Sequence, residues 1–191
     1  MSKSNSRIFK IAIVLILLAV CVVGAYFLSN WLFTSIRIEG ESMLPTIEDN
    51  DVAVVFKQGD HERGDVVIFN THKLDSSGNE RYYIKRIIAL PGDTVEIKET
   101  ENPGEYGIYV NGELLNEDYL GANIPSAREF EVAGAVTIPD GYFYFCGDNR
   151  LNSEDSRAGM LGELDSIVGR VIAKYSASEG IGDLTLVKRP G

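Results

Sequence analysis

Apolar and polar positions divide this chain into two stretches of different period. From Ile11 to Leu28 every position is apolar or small, and after Ser29-Asn30 the run resumes with Trp31-Leu32-Phe33. At about 1.5 Å per residue, roughly 20 such residues cross a ~30 Å hydrocarbon core. Residues 11–33 therefore read as a transmembrane anchor, with Tyr26, Trp31 and Phe33 near one interface, where aromatic rings are favoured. Beyond residue 36 the period is mostly two, the alternation of half-buried strands.

The flanks orient the anchor. Lys3, Arg7 and Lys10 precede it, whereas Arg37 is followed by Glu39, Glu41, Glu48, Asp49 and Asp51. The excess of basic residues before the span makes residues 1–10 a cytoplasmic N-terminus and puts the remainder outside. Two rivals fit less well. A cleaved signal peptide would use the weak small-residue site Val23-Gly24-Ala25, yet the apolar run continues through Tyr26, Phe27 and Leu28. A lipoprotein box at Leu18-Ala19-Val20-Cys21 has the wrong residue before the cysteine.

In the second stretch, Asp51–Phe56, Asp65–Phe69 and Tyr82–Leu90 read as strands between polar turns. Pro91-Gly92-Asp93 is a turn, and Thr94–Lys98 alternates after it. Residues 108–115 read as a hairpin, since Asn111-Gly112 supplies the two positive φ angles of a type I′ turn. Gly141–Cys146 and Ile167–Tyr175 are the closing strands. No helical period is sustained outside the anchor, so the expected fold is all-β. Its core would be residues 34–98 and 140–175, with a smaller subdomain inserted at 99–139. The tail, 176–191, is expected to be loosely ordered.

Composition narrows the partners. The formal charge is −10 and no basic stripe is present, which argues against nucleic acid. Of the two cysteines, Cys21 lies in the span and Cys146 in the soluble part, so there is no disulfide framework. His61 and His72 are the only histidines and neither pairs with a nearby cysteine, so no metal site is expected.

Two residues carry the candidate chemistry. Ser42 lies in Gly40-Glu41-Ser42-Met43-Leu44-Pro45-Thr46, just past the anchor. Lys85 is flanked by Tyr82, Tyr83, Ile84, Ile87 and Ile88. Serine is a weak nucleophile until a base takes its proton. Both histidines occupy polar, loop-like contexts and there is no Gly-x-Ser-x-Gly elbow, so a Ser-His-Asp triad fits poorly. A lysine can act instead if burial keeps it neutral. On a strand, Tyr83, Lys85 and Ile87 share one face and Arg86 points away, its charge still disfavouring a protonated Lys85. Taken singly, Lys85 would be an ordinary lysine covering apolar surface with its stem, and Ser42 a turn serine.

A third block, Gly147-Asp148-Asn149-Arg150-Leu151-Asn152-Ser153-Glu154-Asp155-Ser156-Arg157, changes that reading. These three segments, in this order, together with Gly64–Phe69, resemble the type I signal peptidases over about residues 8–175. The single span resembles the shorter Gram-positive-type members. The resemblance implies a membrane-anchored Ser-Lys serine protease that removes signal peptides from exported preproteins, needing no cofactor or metal. It makes Ser42 the nucleophile and Lys85 the general base. Ser153 would hydrogen-bond the lysine, while Asp155, Arg157, Asp148 and Arg86 support the site. Ile38, Met43, Ile47, Tyr83 and Ile84 would wall shallow pockets for small residues at the first and third positions before the cut. Partners would be preprotein signal peptides and the lipid bilayer. Three positions depart from the pattern: Ala89 and Met160 stand where glycine is usual, and Gly40 lacks the hydroxyl that some members place in the oxyanion hole. The hole would then rest on the Ser42 backbone N–H.

Two other functions share these features. A self-cleaving Ser-Lys regulator would carry a DNA-binding helical domain in front, where this chain has its span. A catalytically idle membrane-anchored assembly scaffold on the same fold would have lost the serine or the lysine, and both are present.

Overall fold

The computed structural model describes residues 3–121, 125–131 and 133–190. Two units are distinguished, Met1–Thr34 and Ser35–Gly191. The first is essentially one helix, α1 (Lys3–Leu32), of which Phe9–Leu32 is long and apolar enough to cross a membrane. The apolar run itself outlasts the helix by one residue, because Phe33 opens a strand.

The second unit is all-β apart from short 3-10 turns, as the period-two pattern predicts. Its large sheet runs β1 (Phe33–Arg37), β2 (Asp51–Phe56), β11 (Ile167–Ser176), β3 (Val66–Leu74), β4 (Glu80–Ala89), β9 (Tyr142–Cys146) and β10 (Gly162–Glu163), with β12 (Thr185–Leu186) added on β11. The smaller sheet is ordered β7 (Glu113–Leu114), β6 (Tyr106–Val110), β5 (Thr94–Glu99) and β8 (Ala133–Thr137). The β6–β7 turn has φ of 55° at Asn111 and 85° at Gly112, the signs a type I′ turn requires.

Two expectations need correcting. Thr94–Lys98 was expected in the core, but β5 is an inner strand of the smaller sheet, pairing with both β6 and β8. Its inward residues Val95 and Ile97 are 3% and 2% exposed and pack with Ile108 and Val110. The tail is also tied down. β12 pairs with β11, Val187 packs on the main apolar cluster, and Arg189 forms ion pairs with Asp65 and Glu62.

Three apolar clusters hold the unit together. One groups Ile38, Met43, Ile47 and Val55 with Ile84 at its edge. A second is aromatic, built from Phe69, Tyr83, Phe143 and Phe145. The third joins β4 and β9 to the smaller sheet through Ile88, Tyr144 and Ile97. Strand β4 touches all three, so its middle is buried on both faces.

Candidate active site

Register in the large sheet fixes the lysine. Val67 stands opposite Lys85, and Phe69 opposite Tyr83, so Lys85 lies on the aromatic face of β4. It is 4% exposed. Its Nζ donates to Ser42 Oγ at 2.6 Å and to the Ile84 carbonyl at 3.1 Å, and sits 5.1 Å from the centre of the Tyr83 ring. Burial lowers the Lys85 pKa from 10.5 to about 8; Asp155 and Glu154 pull it back up, and Arg81 depresses it further. The depressing cation is Arg81, not Arg86 as the sequence suggested. Arg86 is locked in its own ion pair with Asp148.

Ser42 sits in a loop between β1 and β2 that is fastened at each level. Backbone bonds from Ile38 N to Asp51 O (2.8 Å) and from Asn50 N to Ile38 O (2.9 Å) close its base. Met43 and Ile47 anchor it from below, at 1% and 0% exposure. The third sequence block grips it from the side. Asn149 N–H donates to the Ser42 carbonyl at 3.0 Å, and Asn149 Nδ2 to the Glu41 carbonyl at 3.1 Å. Thr46 Oγ1 donates to Asp148. The Ser42 backbone N–H donates no hydrogen bond among the described residues, whereas Gly40 N–H is taken up by Asp49 Oδ1 at 2.7 Å.

Behind the pair lies a buried ionic scaffold. Arg86 forks onto Asp148, at 2.8 Å from Nε and 2.6 Å from a terminal nitrogen, and its other nitrogen reaches the Gly64 carbonyl at 2.7 Å. Arg157 forks onto Asp155 with two bonds of 2.9 Å and reaches Glu131, in the short 3-10 turn before β8, at 3.1 Å. Asp155 also accepts Gly147 N–H at 3.1 Å. Burial would raise the Asp155 carboxyl, but Arg157, Ser153 and that N–H hold it below its ordinary value.

Asp148, Asp155, Arg86 and Arg157 thus lie together in two ion pairs near Ser42 and Lys85. Ser153 does not bond the lysine. Its Oγ faces the Asp155 carboxylate, is buried, and has no partner of good geometry among the described residues. It is packed against Gly147, and the lysine amine is already engaged by Ser42 and Ile84. Of the predicted pocket residues, Tyr83 and Ile84 line an open cleft of about 580 Å³ that holds Ser42 and Lys85. Ile38, Met43 and Ile47 lie in the apolar cluster beneath instead.

Sequence reasoning missed four supports: Asn149, Arg150, Glu117 and Glu131. Arg150, 1% exposed, bonds the Gly147 carbonyl at 2.9 Å, the Ser126 carbonyl at 2.8 Å and the Glu117 carboxylate. The arginine and asparagine were visible inside the third block; the two glutamates had no local signal. Chemically, the cleft offers a hydroxyl in contact with a shielded amine, next to a free backbone N–H.

Residues 9–176 match the family model described as signal peptidase, peptidase S26. Signal peptidase I S of Bacillus subtilis (strain 168) is 36% identical over 153 residues, covering 75% of this chain and 76% of the relative. Signal peptidase IB of Staphylococcus aureus (strain N315) is 34% identical over 178 residues, covering 84% and 87%. A crystal structure of a signal peptidase I from Enterococcus faecalis V583 is 30% identical, with a TM-score of 0.44 over 59% of this chain and 97% of that one. At that score the likeness of shape adds nothing to the sequence match.

Proposed function

This chain belongs to the signal peptidase family, peptidase S26, and from that premise we propose that it cleaves preproteins with Ser42 as nucleophile and Lys85 as general base. The observation that carries the reading is the 2.6 Å contact between Ser42 Oγ and the buried Lys85 Nζ. The same contact favours a working peptidase over an idle scaffold.

With a pKa of about 8, roughly a tenth of Lys85 is neutral at pH 7. The neutral amine accepts the Ser42 proton as Oγ attacks the scissile carbonyl. The oxyanion that forms is stabilised by the Ser42 N–H. Lys85 then returns the proton to the leaving amine, and water, deprotonated by the same lysine, releases the acyl group. Tyr83 and Ile84, which line the cleft beside Ser42 and Lys85, would receive the small residues at the first and third positions before the cut. The basic N-terminus and the acidic stretch after the span support a cytoplasmic N-terminus and a catalytic domain on the outer face of the membrane.

Cleavage of a preprotein in detergent by wild type, Ser42→Ala and Lys85→Ala tests this directly. Wild type should cut after a small-x-small site and both variants should lose activity while remaining folded. Equal activity in all three would remove the dyad as the engine.

A further inference from the structure

Beside Lys85 the cleft carries a charged group that the chemistry above leaves unused. Glu154 lies in the loop between β9 and β10, and its Oε2 accepts the Tyr83 hydroxyl at 2.6 Å. The same oxygen lies 3.4 Å from Arg81, and Oε1 is 3.9 Å from Lys73. The Arg81 guanidinium carbon sits 4.9 Å from the centre of the Tyr83 ring, and Lys85 Nζ sits 5.1 Å from it. One ring is therefore flanked by two cations and tethered by one carboxylate. Phe69 and Phe145 pack edge-on against it, at centroid distances of 6.0 and 6.5 Å.

We propose that Glu154 and Arg81 are paired positioning residues for Lys85: Glu154 tethers the Tyr83 ring beside the lysine amine, and the two charges offset each other there. The proposal rests on Lys85 acting as the base. Glu154 favours a protonated Lys85 and Arg81 disfavours it. Their side chains are 49% and 47% exposed, so water screens each contribution to a fraction of its dry value. The other groups facing the amine keep one charge state over the working range. Asp155 is held ionised by Arg157, and the Cys146 thiol is pushed up by burial and stays neutral. Ser42 is the reacting partner itself. Arg86, the next residue on the strand, is neutralised by Asp148.

The test is the pH dependence of kcat/KM for a small-x-small peptide, using the full chain in detergent at low salt. Wild type is compared with Glu154→Gln, Arg81→Gln and the double variant. Glutamine keeps an acceptor for the Tyr83 hydroxyl, so Glu154→Gln removes charge without the tether. The acid limb should move down by about half a pH unit in Glu154→Gln and up by about as much in Arg81→Gln. The double variant should return it to near the wild-type position, and 1 M salt should shrink both shifts. Shifts in the same direction, or a limb that stays put in both single variants, overturn the proposal while leaving Lys85 as base. A wild-type profile with no limb near pH 8 overturns both.

Discussion

Gly147 lies directly against the Ser42 carbonyl: a Cβ built on it would come within 3.0 Å of that oxygen and of Ser153 Oγ. The glycine is thus required by close approach. Gly147→Ala should push the Ser42 turn off the lysine and lower kcat about 100-fold, the scale of an ångström-sized misplacement. Adding Ser153→Gly removes the side-chain clash but not the carbonyl one, so the double variant should remain impaired. Full recovery in steady-state peptide cleavage would show that the backbone contact does not matter.

The activity of the wild-type enzyme should rise with pH. If neutral Lys85 is the base, log kcat/KM climbs with unit slope below about pH 8 and levels above it. A profile flat from pH 6 to 9 on the same peptide would exclude a titrating base in this range.

Lys85 should also cost stability. Its folded pKa is depressed from 10.5 to about 8, so the unfolded chain binds the extra proton within that window and stability rises with pH across it. Below pH 8 the whole cost is present. Lys85→Met should therefore stabilise the protein at pH 7 by about 1–3 kcal/mol, an advantage that fades towards pH 10.5. Denaturant melts at pH 7 and pH 10 check both parts; a destabilised variant at pH 7 contradicts the argument.

Removing one member of the buried Arg86–Asp148 pair should be far more costly than removing both. Asp148→Ala leaves a guanidinium at 1% exposure without its carboxylate and frees Thr46, at a cost of about 3–5 kcal/mol. Arg86→Met with Asp148→Leu should lose much less. Equal melting temperatures for the single and double variants would show that the ion pair is not what holds the loop.

Sequence order made some of this legible. Ser42 and Lys85 stood out because each carries a reactive group in an identifiable local setting, an anchor-proximal turn and an apolar strand. The strands of the core declared themselves either by alternation, as in β2 and β11, or by short apolar runs between polar turns, as in β3, β4 and β9. By contrast β8, Ala133–Thr137, is exposed at every position and so has no alternation to read. The tail looked loose because its partners, Asp65 and Glu62, lie more than a hundred residues earlier. Asp155 illustrates the same limit. Its role could be placed, but the Glu131 that completes its arginine's coordination could not, because nothing near residue 131 signals that contact.

Arg150 takes its carboxylate, and Arg157 its second one, from Glu117 and Glu131, which lie in the segment between β7 and β8 of the smaller sheet. That sheet is therefore not an interchangeable module. A chimera that swaps it for a shorter or differently charged version would strand the buried Arg150 without its carboxylate and leave Arg157 with Asp155 alone, and would fail at the catalytic centre rather than at the graft. Where sheets of this kind differ in length between homologous chains, the two acidic anchors mark where the cut points of such an exchange cannot fall.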